Sequence, residues 1–242
     1  MKLQQLYRYV RKAMEDYNMI EDNDKIAVGI SGGKDSLALL YALAGMRRFY
    51  PHSYELVAIT VNLGYEDFDL SPIKRLCGQL GVEYYIVDTE IGKITEEISK
   101  KDSPCSICAK MRKGALNDKA LELGCNKVAY AHHMDDVIET AFLSMIYEGR
   151  FYCFPPVTHL SKTKLTVIRP MIYTPEVNII GFKNKYQLPI VKNPCPYDGH
   201  TRREYVKQLI RNINLDNPGV KNRFFTAIIN GKIDGWDLPK TP

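Results

Sequence analysis

The sequence predicts an α/β fold: a Rossmann-like parallel sheet covered by helices on both faces, with helical extensions at its N- and C-terminal ends. Two observations predict it. Short runs apolar on both faces, such as Lys25–Ile30, Glu55–Asn62 and Lys127–Ala131, alternate with segments of helical periodicity, as in a sheet covered on both sides. The first run also breaks at once into Ser31-Gly-Gly-Lys-Asp-Ser36 and then into an apolar helical stretch. A buried strand, a glycine turn and a helix start make an anion-binding device, because unpaired N–H groups, the helix dipole and a lysine face one point.

The elements follow in order. Leu3, Leu6, Tyr7, Val10, Met14 and Tyr17 stand at helical spacing within Met1–Asn18. That stripe packs on its own core or forms a homodimer face, with the dimer the favoured expectation. Strand Lys25–Ile30 leads into helix Asp35–Arg48, strand Glu55–Asn62, helix Ser71–Leu80 and strand Glu83–Val87. Helix Ile107–Leu123, strand Lys127–Ala131, helix Asp136–Tyr147 and strand Thr163–Arg169 complete the pattern. No repeat or linker divides it, so residues 25–212 read as one domain, 1–24 as an N-terminal helical extension and 213–242 as a C-terminal one.

Composition sets the bounds. The 242 residues are 45% hydrophobic and 25% charged, ordinary globular material for one large domain. No run reaches transmembrane length and Met1–Asp24 is charged throughout, which predicts a cytoplasmic protein without membrane contact. The net charge of +5 accommodates a polynucleotide partner without requiring one. Six cysteines in such a chain argue for metal or redox chemistry rather than a disulfide framework.

In a sheet of this kind ligands sit beyond the carboxyl ends of the strands. That places the Ser31 loop, Asn62-Leu63-Gly64, Ala131-His132-His133 and the Cys105 loop on one rim. In the first, Gly32 and Gly33 permit close approach to phosphate, Lys34 neutralises it, and Ser31 and Ser36 offer hydroxyls. It is not a Walker A loop, since Val28 stands where that motif needs glycine and Asp35 where it needs Ser or Thr. Asp135 and Asp136 suit a Mg²⁺ ion bridging phosphates, and equally suit the dipole at a helix start. His132 and His133 read either as site residues or as packed core histidines.

Cys105-Ser-Ile-Cys108 admits a half zinc site, a redox dithiol, two ligands of an iron–sulfur cluster, or buried thiols. Cys77, Cys125 and Cys153 lie in apolar surroundings and read as core, whereas Cys195 sits in the proline-locked loop Asn193-Pro-Cys-Pro-Tyr197. Two basic stretches, Lys110–Lys113 and Thr201–Arg211, follow the cysteine segments. They are solvated helix faces or contacts to a polynucleotide brought to the thiols.

Together these residues resemble the tRNA 2-thiocytidine synthetase family, cluster-dependent tRNA thiolases of the PP-loop ATP pyrophosphatase superfamily with its adenine nucleotide alpha hydrolase-like fold. The resemblance covers Ser31–Ser36, Pro104–Gly114, Ala131–Asp136 with Glu139 and Thr140, Pro155-Pro156, Val167–Pro170 and Cys195, in order across most of Lys25–Arg211. It implies that ATP adenylates C2 of a tRNA cytidine. It further implies that Cys105, Cys108 and Cys195 hold a 4Fe–4S cluster whose fourth iron is open to sulfide. Lys34, Asp35, Arg112 and Asp136 are then the expected catalytic residues. Ser31 to Ser36, Asn62, Ala131, His132 and Asp135 are expected to bind ATP, and Asp135 and Asp136 to bind Mg²⁺. The expected partners are tRNA and a sulfur donor such as a cysteine desulfurase.

Departures from the pattern matter. The related thiouridine synthetases usually begin with a cysteine-rich zinc module that is not seen here, and lysidine synthetases lack the Cys-x-x-Cys. Around Cys195 the sequence reads Pro-Cys-Pro where better-known members have Cys-Gly, which loosens the assignment of the target base. Two other readings stay open. In one, a persulfide on Cys105 or Cys108 is resolved by Cys195 without a cluster; in the other, a non-catalytic ATP-binding protein carries zinc on the three cysteines, with or without His200.

Overall fold

Strands that alternate side chains between two faces can be buried on both faces only if helices cover each side. The chain does this in a computed structural model that describes residues 1–65, 68–98, 104–191, 195, 202–231 and 233–238. In order the elements are α1 (Leu3–Asp16), β1 (Asp24–Gly29), α2 (Lys34–Met46), β2 (Tyr54–Asn62), α3 (Ser71–Leu80), β3 (Glu83–Asp88), α4 (Ile91–Ile98) and α5 (Pro104–Glu122). They continue with β4 (Lys127–Ala129), α6 (Met134–Glu148), β5 (Val157–His159), β6 (Thr166–Ile168), α7 (Glu176–Tyr186), α8 (Arg202–Asp216) and α9 (Val220–Asn230).

The strands form one sheet in the order β3-β2-β1-β4-β6-β5. Every pairing is parallel except β5 with β6. The expected parallel sheet therefore gains one antiparallel edge strand, too short at three residues to show a period in the sequence. The chain runs outward from β1 through β2 to β3 and then resumes on the other side of β1 with β4. That change of direction opens a crevice at the carboxyl end of β1.

Period-two alternation divides the core. Ile26, Val28, Leu56, Ala58 and Ala129 face the larger cluster, which holds buried residues of α1, α2, α6, α7, α8 and α9. Ala27, Val57, Ile59 and Val128 face a smaller one under α5, with Leu116 and Ala120. Helix α2 is apolar nearly all round because it is sandwiched between α1, α3, α7, β1 and β2. Helix α1 spends its stripe on this: Leu6, Val10, Ala13 and Met14 are fully buried within the chain. The stripe packs on the chain's own core, so the basis for expecting a dimer there is removed.

Helix and strand ends shift by a few residues from expectation, and the Cys105 segment is the first turn of α5 rather than a loop. Helices α4 and α7 are additions. In α7 only Ile179 and Phe182 are buried, and Gly181 and two asparagines weaken its helical signal. Strand β3 pairs on one side only and leaves Ile86 exposed, unlike the doubly buried strands expected. Among the described residues no helix is long and apolar enough to cross a membrane.

Because the Leu6 side chain is fully buried between α1 and the core, Leu6→Ala is expected to cost about 2–5 kcal/mol. Urea unfolding of the two proteins measures it; a loss below about 1 kcal/mol would mean that α1 docks only loosely.

Candidate active site

The turn after β1 leaves the start of α2 open. Gly33 is its N-cap and no side chain caps it, so the first N–H groups point outward without a side-chain partner. The turn itself is stiff. Ser36 Oγ donates to the Gly33 carbonyl at 3.0 Å and lies 3.2 Å from both Ser31 N and Ser31 Oγ. Gly32 adopts φ +83°, and a Cβ there would meet the Val191 carbonyl at 3.1 Å. The Val191 N–H donates back to the Gly32 carbonyl at 3.1 Å, which fastens a distant segment to the loop.

Beside the loop lies a cavity of about 370 Å³. Ser31, Asp35 and Ser36 form one wall, and Ile30, Ile59, Val61 and Tyr130 the strand ends. Ala109, Arg112, Lys113 and Leu116 of α5 form a third wall, and Ala131, His132 and Asp136 close it. The apolar strand-end residues, Leu116 and Tyr130 were not expected as site residues, since in sequence they read only as core. Lys34 turns along the loop, 3.0 Å from both Asp35 Oδ2 and Glu176 Oε1. Asn62 does not line the cavity; its side chain donates to Asp88 and accepts from Gly64 N.

The neighbouring acids part company. Asp135 is buried away from the cavity, with Lys221 Nζ 2.7 Å from Oδ1 and the Glu176 N–H donating to Oδ2 at 2.7 Å. Asp136 lines the cavity; its Oδ2 accepts from His133 N at 3.0 Å and its Oδ1 is 3.5 Å from Arg203 Nη1. Across from it, Asp35 Oδ1 is buried without a hydrogen-bond partner, 3.7 Å from His133 Nε2. Among the described residues no three His, Cys, Asp or Glu side chains stand close enough to hold a metal ion.

The histidines differ as sharply. His133 caps α6, its Nδ1 accepting from Asp136 N at 3.3 Å. His132 packs on Phe154 with ring centroids 4.5 Å apart, and its Nδ1 is buried without a partner. Burial pushes its pKa down to about 3, so the ring is neutral. Arg169, whose guanidinium lies over the Phe154 ring 5.1 Å from its centroid, is pushed down to about 10 by burial.

No thiol lines this cavity; Cys105 and Cys108 lie in the first turns of α5, just before the residues of that helix that do. Cys77, Cys125 and Cys153 are buried, as expected, and burial raises all three to between about 11 and about 12. Cys105 is exposed, Cys108 and Cys195 half-buried, and no disulfide joins them. Burial raises the Cys108 thiol, the charge of Arg112 opposes this, and the nearby Cys195 and Cys105 raise it further. Burial, then the neighbouring Cys195, push the Tyr65 hydroxyl up to about 12. Asn193, Pro194, Pro196, Tyr197, His200 and Thr201 lie outside the described residues.

Of two further charged residues of the site, Glu176 left no signal in the sequence and Arg203 was visible only as part of a basic stretch. Glu176, the first residue of α7, bridges Lys34 and Lys207 at 3.0 Å each. Arg203, the second residue of α8, donates to Glu139 at 3.0 Å and to Thr140 at 3.3 Å, beside its contact to Asp136. Glu139 is nearly fully buried, and burial, then Asp136, hold its carboxyl above the ordinary value against Arg203.

This arrangement defines a nucleotide-binding PP-loop domain, and the family model so described matches residues 2–213. The tRNA-cytidine(32) 2-sulfurtransferase of Citrifermentans bemidjiense is 38% identical over 224 residues, 91% of this chain and 88% of that protein. Its namesake from Aliivibrio salmonicida is 36% identical over 232 residues, 95% of this chain and 76% of that one. In solved structures, the U34-tRNA thiolase NcsA from Methanococcus maripaludis with its 4Fe–4S cluster matches with a TM-score of 0.78 at 27% identity, covering 99% of this chain and 84% of that one. An NH3-dependent NAD synthetase from Campylobacter jejuni, TM-score 0.52 at 16% identity over 100% of this chain and 99% of that one, shares the fold alone. The chain belongs to the PP-loop domain family and, within it, to the tRNA 2-thiocytidine synthetases.

Burial favours a raised Glu176 pKa, but hydrogen bonds from Lys207 and Lys34 win and pull it from 4.5 down to about 2. A carboxyl lowered by folding contributes stability that is complete above its unfolded pKa and lost as pH falls through the folded one. Glu176→Gln is therefore expected to be less stable than wild type at pH 7, with the gap closing between about pH 4.5 and about pH 2. Unfolding curves over that range measure it; a gap independent of pH would show that the ion pairs do not carry it.

Proposed function

We propose that this chain is an ATP-dependent sulfurtransferase that converts a cytidine in tRNA to 2-thiocytidine. The observation that supports this reading is that one helix, α5, walls the cavity with Arg112, whose charge also acts on the Cys108 thiol. Activation and sulfur delivery thus meet across a single side chain.

The C2 oxygen of an amide-like pyrimidine is a poor leaving group. Attack of that oxygen on the α-phosphorus of ATP forms a P–O bond and releases pyrophosphate; sulfur then bonds to C2 and the former oxygen departs with AMP. The open N–H groups of α2 and the hydroxyls of Ser31 and Ser36 receive the phosphates. Lys34 joins them by exchanging Asp35 and Glu176 for phosphate oxygens. The apolar strand ends with Leu116 and Tyr130 offer a flat slot for a base. Arg112 faces the reacting phosphate or pyrimidine.

Two absent groups fit the donors present. The unpartnered Asp35 Oδ1 and the cavity-facing Asp136 are hard oxygen donors that would hold Mg²⁺; its charge would neutralise the phosphates. Cys105, Cys108 and Cys195 are soft, unbridged donors, and Cys108 senses the other two; drawn closer together, they would hold a 4Fe–4S cluster. Such a cluster with an open iron supplies a site that presents sulfur. A donor such as a cysteine desulfurase would provide that sulfur, and phosphate contacts with stacking would hold a splayed tRNA loop.

Mass spectrometry of tRNA nucleosides from a strain lacking this gene tests the reading, alongside complementation with wild type or Cys105→Ala. Loss of 2-thiocytidine, restored by wild type alone, is the expected result. Loss of a thiouridine instead would refute the base assignment, and no change in any thionucleoside would sink tRNA thiolation. Iron analysis of the anaerobically purified chain separates the cluster from a persulfide route.

The two adjacent acids give a second test. Asp136→Asn is expected to lower tRNA-dependent pyrophosphate release by about 100-fold, the scale of losing one group that acts on developing charge. Asp135→Asn is expected to lower the melting temperature by several degrees, because it strips Lys221 of its partner, and to keep turnover within a few-fold at a temperature where it stays folded. The reverse pattern would exchange their roles.

A further inference from the structure

A strip of aromatic rings and arginines leads from the cavity to the surface. It begins at His132, which lines the cavity and packs on Phe154 with ring centroids 4.5 Å apart. The Arg169 guanidinium lies over the same ring, fixed by donating to the Pro155 carbonyl at 2.6 Å and to Thr158 Oγ1 at 3.0 Å. Tyr152 and the cavity-lining Tyr130 both stand near enough to act on its charge. From Phe154 the chain needs only two residues, at most about 7 Å, to arrive at Tyr152.

There the strip meets solvent. Tyr152 is 40% exposed with Arg150 over its ring at 4.7 Å, and Tyr147 is 42% exposed with Arg202 over its ring at 4.8 Å. Phe151, beside Tyr152 in the chain, is 51% exposed. The segment is clamped: the buried Ser144 hydroxyl donates to the Tyr152 carbonyl at 2.7 Å and accepts from the Tyr152 N–H at 3.0 Å. That holds Tyr152 against the turn of α6 that leads to Tyr147. Glu148 takes the Nε of Arg150 at 2.6 Å and not its terminal nitrogens. Large rings kept in water on a fixed segment, contiguous with a cavity, mark a binding surface.

We propose that Tyr147 and Tyr152, with Arg150 and Arg202, form a stacking platform for the unpaired RNA nucleotides that flank the target base. The proposal rests on the reading that the substrate is tRNA, and says where its loop lies. Each pair offers a base a flat surface, ring or guanidinium, and offers the neighbouring phosphate a cation. Only unstacked bases can use such surfaces, so the platform selects a splayed loop over a paired stem. Tyr147 stands about 17 Å along α6 from Asp136, the run of a few nucleotides. A protein partner is the poorer fit, because the cores of protein interfaces are depleted of charge, and two of these three rings carry a guanidinium.

Affinities of the anaerobically purified full chain for two RNA hairpins test the proposal. One has an unpaired loop containing cytidine; in the other the same length is paired and closed by a minimal turn. Tyr152→Ala and Tyr147→Ala are each expected to weaken the looped hairpin by about fivefold or more, the scale of one lost base–aromatic stack, and to leave the paired one within about twofold. Tyr152→Phe keeps the ring and is expected to bind like wild type. Arg150→Gln and Arg202→Gln are expected to flatten the salt dependence of looped-hairpin binding by about one phosphate contact each. Alanine variants that bind both hairpins like wild type, or that weaken both equally, would overturn the platform and leave the thiolation reading standing. A wild-type dimer that Tyr147→Ala turns into a monomer would assign the surface to a second copy and overturn it too. A wild type that binds neither hairpin nor whole tRNA would instead overturn the reading of tRNA as substrate, and the platform with it.

Discussion

The site depends on a single constraint: β1 is hydrogen-bonded on both sides by parallel neighbours and then stops at a glycine turn. With β2 on one side and β4 on the other, no further sheet partner exists for the backbone that follows. Parallel pairing sends the carboxyl ends of β1, β2 and β4 to the same rim, so the turn at Ser31, the end of β2 and the start of α6 gather there by topology alone. The core on either side is dense and apolar, and leaves the strands no freedom to shift. An uncapped helix start at such a place is a standing demand for an anion.

Around that demand, charges are sorted by helix geometry. Successive residues on a helix are rotated by about 100°, and here Asp135 and Asp136 face apart. One serves α7 and α9, and the other serves the cavity. The same rotation lets Arg112 reach Cys108, four residues earlier and on the same face of α5. A helix that begins at the thiols and passes along the cavity is thus a physical bridge between sulfur and phosphate chemistry. Lys34 shows the complementary arrangement: a lysine aimed along the loop, held meanwhile by Asp35 and Glu176.

Much of this was legible in the sequence. Lys25–Ile30 reads as a buried strand because both faces are apolar, and the observed β1 lies within one residue of it. The core thiols Cys77, Cys125 and Cys153 were separable from Cys105, Cys108 and Cys195 because their neighbours are apolar and periodic. Helix α7 and strand β5 were not legible, the first for want of helix formers and the second for its length. The stripe of α1 was visible, but its partner was not: an apolar face says that it will be covered, not by what.

By itself, then, the sequence determined the elements, the glycine turn, the two-sided burial of the sheet and the set of candidate site residues. All of these are written in patterns a few residues long, where steric limits, turn chemistry and periodicity act. Only the tertiary structure decided which of two adjacent acids meets the cavity, that Glu176 bridges Lys34 and Lys207, and that Arg203 ties α8 to Asp136 and Glu139. Those pairings join residues tens to more than a hundred positions apart. Their strength depends on burial and distance, and neither exists until the chain has folded.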